Sequence, residues 1–241
     1  MAEFLPVSRR AEDHWLSVSD LMTGLMVIFL FIAVSYMMNV RADRKRIIDI
    51  AQAFQDLHAE LFKDLQAEFK DDLDKNKWGE VELVKDTLTV RFKEPEVLFE
   101  RGSAVIRPRF KDILDDFFPR YVSVLLREKY RENIEEVRIE GHTSSEWGPH
   151  VSLQESYFLN MALSQERTRS VLQYVLGLRD ARIAEHLDWL RRYVTANGLS
   201  FSKRIEENGV ENKQASRRVE FRVRTHAERQ MRKILDNGQT P

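Results

Sequence analysis

The sequence predicts an α+β protein: one N-terminal transmembrane helix, a linker helix, then a small sheet with helices on one face. Three observations carry this. An uncharged apolar run of twenty residues extends from Leu21 to Val40. Apolar residues at helical spacing follow it, through Ile47, Ile50, Phe54, Leu57 and Leu61. After Trp78 the apolar period shortens to two, and strands then alternate with helices in the order ββαβα…β. That order describes a sandwich of one sheet and one helical layer.

The span comes first. Twenty residues in a helix cover the roughly 30 Å hydrocarbon core of a bilayer. The run is too long for the apolar centre of a cleaved leader, and no small-x-small site follows it. An uncleaved anchor over residues 14–40 is expected, behind a polar tail at 1–13. Asp20 opens the run and is the acid nearest to it on either side. A charged side chain at membrane depth is costly and is usually functional, as part of a proton or ion path. A second reading places Asp20 at the headgroups, where it complements the positive end of the helix dipole. Both fit the residues alone.

Orientation is not set by the flanks. Arg9 and Arg10 precede the span; Arg41, Arg44, Lys45 and Arg46 follow it. Short flanks obey the positive-inside rule, but long domains cross largely regardless of charge. The net charge of −1 offers no global field for nucleic acid. Cysteine is absent, which excludes disulfides, thiolate nucleophiles and thiolate metal sites.

Residues 41–77 read as a helix leaving the membrane. Its stripe from Ile47 to Leu61 suits either pairing with a second copy or packing on its own domain. The domain proper is expected over 78–226, with a tail at 227–241. Val81, Leu83, Leu88, Val90 and Phe92 alternate around Lys85-Asp86-Thr87, which predicts a hairpin. Phe110, Ile113, Leu114, Phe117 and Val124 lie on one side of a helix over 107–128. Residues 137–141 form a short strand, 164–176 a helix and 218–223 a closing strand. Between them, a helix over 183–194 precedes a polar loop.

Four local motifs, in order, give a resemblance. Leu98-Phe99-Glu100-Arg101-Gly102-Ser103-Ala104, Ile139-Glu140-Gly141-His142-Thr143, Leu163-Ser164-Gln165-Glu166-Arg167 and Arg217-Arg218-Val219-Glu220-Phe221 resemble the LFxxGSA, EGHT, LSxxR and RRVEF segments of OmpA-like domains. The resemblance implies a periplasmic α/β sandwich that binds peptidoglycan, with the N-terminus in the cytoplasm. Ser19-Asp20-Leu21-Met22-Thr23-Gly24-Leu25-Met26 is similar to the span signature of the stator subunit MotB. There the Asp carries the proton, so Asp20 is the proton carrier by resemblance.

The segment Gly141-His142-Thr143-Ser144-Ser145-Glu146-Trp147 and the long closing region look more like the ZorB family of the Zorya anti-phage systems. That family implies a proton-driven inner-membrane motor, a homodimer of these spans, and a multi-span ZorA- or MotA-like partner. Flagellar MotB and a passive membrane-tethered anchor are the alternatives. Peptidoglycan contacts carried over residue by residue are Thr143, Ser144, Asn160, Leu163 and Arg167. Ser144 departs from the pattern, which usually has Asp there. Weaker binding follows, unless Glu146 substitutes. His142 beside two serines suggests a hydrolase only superficially, because no GxSxG elbow is present. No enzyme activity, cofactor or metal site is expected.

Overall fold

The computed structural model describes residues 9–93, 95–226 and 228–229. The expected tails at 1–13 and 227–241 fall mostly outside these. Two compact units are present, one up to Ile50 and one from Ala51 onward. Helix α1, Arg9–Asp74, contributes to both.

In the first unit the helix carries the one run among the described residues that is long and apolar enough to cross a membrane. Its apolar side chains face outward: Leu21 is 75% exposed and Phe31 74%. In water such a surface is unfavourable, so it calls for lipid or other helices.

The second unit begins within α1. Leu61, Leu65 and Phe69 repeat every four residues and therefore share one helix face. All three are buried in the domain core, with Leu57, Phe62 and Leu73 packed beside them. Of the two readings for the stripe, its later part packs on its own domain. The core therefore starts well before Trp78.

A five-stranded sheet has the order β1-β2-β7-β3-β4. β1 (Val81–Val84) and β2 (Thr89–Phe92) form the expected antiparallel hairpin. β7 (Arg218–Thr225) lies antiparallel between β2 and β3 (Ile134–His142). β4 (Val194–Gly198) runs parallel to β3 at the edge. Short helical segments α2 (Pro95–Leu98) and α4 (Glu128–Arg131) flank α3 (Pro108–Leu125). α5 (Leu153–Leu176) follows β3, and α6 (Ala181–Glu185) and α7 (Leu187–Tyr193) lead into β4. A small hairpin, β5 (Glu206–Glu207) with β6 (Val210–Glu211), and α8 (Lys213–Ser216) precede β7.

Alternation sorts the strands. Val90, Phe92, Val137, Ile139, Val219, Phe221 and Val223 point into the core against α1 and α3. Phe117 is fully buried among the rings of Phe69, Trp78, Phe92, Tyr121 and Phe221. Where α5 crosses the sheet, backbone meets backbone. A Cβ at Gly141 would stand 2.7 Å from Thr168 Cγ2, and one at Gly198 would stand 2.6 Å from Gln165 Cα. Glycine at both places lets α5 press directly on β3 and β4.

Three expectations need correction. The single helix over 183–194 is two short helices, and the polar loop after it begins as strand β4. Val194-Thr195-Ala196-Asn197-Gly198 has almost no apolar alternation, because an edge strand beside α5 needs little. α5 starts at Leu153 rather than 164. Ser152 caps it by accepting a hydrogen bond from the Glu155 amide at 3.2 Å, and its first turns expose Leu153 and Phe158. An exposed apolar turn hides the start of an amphipathic pattern.

Candidate functional site

Asp20 lies on α1 with its side chain exposed. One turn on, the Thr23 hydroxyl donates to the Ser19 carbonyl at 2.8 Å, and a Cβ at Gly24 would meet nothing within 4 Å. The helix thus presents a carboxylate, a hydroxyl and a small-residue notch near the start of the apolar run. Small residues are what allow close approach of another membrane helix.

The second candidate is a groove of about 680 Å³ in the C-terminal unit. Thr143, Ser144, Asn160, Leu163 and Arg167 all line it. Asn160, Leu163 and Arg167 are three and four residues apart, so α5 presents them on one face. Thr143 and Ser144 extend the end of β3, whose position the sheet sets: the Thr143 amide donates to Ser200 carbonyl oxygen at 2.9 Å.

These residues differ in what they can offer a ligand. Asn160 is engaged: its Nδ2 donates to Ser156 Oγ at 3.2 Å and reaches the Glu146 carbonyl at 3.5 Å. Ser156 Oγ in turn donates to the Ser145 carbonyl at 2.8 Å. Asn160 therefore holds the 145–146 backbone. Thr143 Oγ1 is buried and makes no hydrogen bond among the described residues. Buried hydroxyls normally have a partner, so an orphan in a groove wall marks a place for one.

Arg167 is half-buried. Its Nε donates to the Ser103 carbonyl at 2.8 Å and its Nη2 to the Glu100 carbonyl at 3.2 Å. Its guanidinium lies 4.9 Å from the centre of the Phe99 ring. Backbone carbonyls and a ring face hold the fork without neutralising it. Burial, and then the charge of Arg217, lower its pKa to about 10. Both act against the cation, so an anion in the groove is favoured.

Sequence reasoning missed six further lining residues: Phe99, Arg101, Gly102, Arg107, Trp147 and Arg217. Three of the six are cationic. Arg101 and Arg217 were visible inside the quoted motifs, but nothing local says that they face the same space. Glu146 is the one acid among the lining residues. Its carboxylate stands 3.5 Å from Lys213, so its charge is partly answered already.

Behind the groove lies a buried ionic cluster. His142 Nε2 stands 3.7 Å from Glu140 Oε2 and 3.5 Å from Glu220 Oε2. Neither ring nitrogen makes a hydrogen bond among the described residues. The three side chains are close enough to consider a metal. However, Glu220 Oε1 accepts from both Arg91 Nε and Arg218 Nε at 2.6 Å, and Arg138 lies 3.6 Å from Glu140. Three guanidiniums around two carboxylates leave little negative charge for a dication. The cluster reads as an ion-pair network across β2, β7 and β3.

Comparison with known proteins places these sites in context. No family model matches the chain. It is similar to the Zorya protein ZorB of Escherichia coli (Crooks strain), 47% identical over 232 residues that cover 96% of each chain. The cell wall anchor of the T6SS from Pseudomonas aeruginosa is a solved structure with 26% identity. It covers 67% of this chain and 97% of that one, with a TM-score of 0.44. The periplasmic domain of Helicobacter pylori MotB (residues 78–256) gives 17% identity over 67% and 92%, with a TM-score of 0.39.

Proposed function

The chain belongs to the ZorB family of Zorya proteins, and from that premise we propose that it is a proton-driven, stator-type subunit of an inner-membrane motor acting in anti-phage defence. In this reading α1 crosses the inner membrane once, with its N-terminus in the cytoplasm. The C-terminal unit lies in the periplasm and holds peptidoglycan through the Arg167 groove. Asp20 carries the proton. No catalytic role is assigned to any residue.

The observation that carries the reading is the lone carboxylate of Asp20 at the start of a twenty-residue apolar run. A passive tether gains nothing from a charge there, while a proton path needs one. One helix cannot enclose such a path, since lipid offers no partner to a carboxylate. The outward-facing apolar side chains of α1 are consistent with burial against other spans. Those spans are a second copy of this chain and a multi-span ZorA- or MotA-like partner. The groove supplies the fixed point. A motor that produces force needs one part held still, and a lone apolar helix slides freely in the bilayer.

The test is Asp20→Asn, which keeps size and polarity but cannot ionise. Cells carrying it should lose phage protection while the protein accumulates in the membrane with its partner as before. Full protection would refute the proton-carrying role and leave the passive anchor.

A further inference from the structure

Four cations follow the span directly: Arg41, Arg44, Lys45 and Arg46. Helix α1 runs unbroken through them, so helical geometry sets their directions. Arg41, Arg44 and Lys45 are spaced i, i+3 and i+4, which places them on one face. Ile50, about two and a half turns from Arg41, points to the opposite side with the start of the apolar stripe. The three cations are exposed and make no ion pair among the described residues. Asp49, one turn beyond Lys45, is exposed and unpaired as well. Like charges at these spacings repel, so this turn of helix is weakened unless an anion from outside answers them.

Depth points to the anion. Val40 is the last residue of the apolar run. At about 1.5 Å per residue, Arg41 to Lys45 stand roughly 1.5–7.5 Å beyond it along the axis. The headgroup layer on one side of a bilayer is about 5–8 Å thick. The three side chains therefore lie at the level of the lipid phosphates. Arginine suits a phosphate through its planar fork, and lysine as a point charge. The flank before the span differs: over residues 1–13, Arg9 and Arg10 are outnumbered by Glu3, Glu12 and Asp13. In the orientation proposed above, the more cationic flank lies in the periplasm, the reverse of the positive-inside pattern. Insertion gives no reason for these charges; a contact does.

We propose that Arg41, Arg44 and Lys45 form a binding face for an anionic phospholipid headgroup, which pins the depth and rotation of α1 where it leaves the membrane. Phosphatidylglycerol, with a net negative charge, is selected over phosphatidylethanolamine, whose own ammonium answers its phosphate. One side of α1 meets other spans while this face meets lipid. Assigning the headgroup to the periplasmic leaflet rests on the proposed orientation; the contact itself does not.

The full chain is reconstituted in phosphatidylcholine vesicles with spin-labelled phosphatidylglycerol or spin-labelled phosphatidylethanolamine. Electron spin resonance then reads the motionally restricted fraction of each lipid. One cation near an anionic surface changes lipid association about fivefold, so the wild type should prefer phosphatidylglycerol by at least that factor at low salt. Molar salt should remove most of the preference. The triple variant Arg41→Gln, Arg44→Gln, Lys45→Gln should abolish it with an unchanged circular-dichroism spectrum. Lys63→Gln with Lys70→Gln, at exposed positions farther along α1, should leave it intact. Equal restriction of the two lipids by the wild type, or a preference that survives in the triple variant, would overturn the proposal. The assembled complex is tested by crosslinking. The chain has no cysteine, so Ala42→Cys takes a single photo-crosslinker at the level of the three cations. In membranes that hold the partner it should form a phospholipid adduct. Crosslinking to protein alone would show that carboxylates of the partner answer the cations, and would also overturn the proposal. A membrane-impermeant maleimide on the same cysteine reads orientation separately. Labelling only after the inner membrane is opened rejects the periplasmic assignment and leaves the headgroup contact standing.

Discussion

The Ser145 amide donates to Glu211 Oε1 at 2.9 Å, and the Ser145 hydroxyl donates to Oε2 of the same carboxylate. The two residues are 66 positions apart. Their contact ties the loop after β3, which carries Thr143, Ser144 and Trp147, to the small β5–β6 hairpin. Together with the Asn160–Ser156–Ser145 chain of hydrogen bonds, it fixes the groove's wall from two sides.

Glu211→Ala should therefore loosen the groove without touching any residue assigned to the ligand. Losing hydrogen bonds to a charged acceptor costs about 1.5–3 kcal/mol. Urea unfolding should show a loss within that range, and co-sedimentation with sacculi should weaken in parallel. Glu211→Gln keeps one acceptor and should fall between.

Arg167→Ala should separate binding from folding. The substitution removes two donors to backbone carbonyls at the protein surface, and those carbonyls can turn to water. Stability should change little, while sacculus binding drops by about 1.5–3 kcal/mol. Arg167→Lys should not rescue it, because an ammonium lacks the planar fork. Co-sedimentation equal to wild type would show that the groove is not the binding site.

The role of α1 in the domain core is open to a direct check. Leu65 is fully buried. Leu65→Ala should cost about 2–5 kcal/mol. A soluble chain starting at Trp78 should be unfolded or aggregated by circular dichroism, because Leu61, Leu65 and Phe69 leave the core. One starting near Ala51 should be folded.

Acid should unfold the domain through its ion-pair networks. Burial is the largest influence on Glu220 and acts upward, but His142 and Arg218 outweigh it and hold the carboxyl well below its usual range. Glu136 is also lowered: burial again opposes, and Thr195, Arg138 and Arg224 prevail. Asp64 is lowered chiefly by Lys129. For a depressed carboxyl, the stabilisation is complete above its unfolded pKa, about 4, and is lost as the pH falls through the lower folded value. Urea midpoints should be flat from pH 7 to 5 and drop below about pH 4. Glu220→Gln should be less stable at pH 7 and show a shallower acid slope.

The apolar span, the lone Asp20, the β1–β2 hairpin and the inward face of α3 were all readable from the amino-acid order. Each depends on composition or period within a short window, which a chain expresses locally. That Asn160, Leu163 and Arg167 share one helix face was not readable, because the helix was expected only from residue 164 while α5 starts at Leu153. Tertiary structure decided the rest. β4 forms because β3 and α5 offer it an edge, not because Val194–Gly198 favours a strand. Leu61, Leu65 and Phe69 became core because the domain folds onto the end of α1. The groove gathers Arg101 and Arg107 from one loop, Arg167 from α5 and Arg217 from the approach to β7. Their convergence comes from sheet register and from the glycine-permitted contact of α5 with β3 and β4. No local period records such long-range proximity, so the charge of the groove emerged only when the chain was packed.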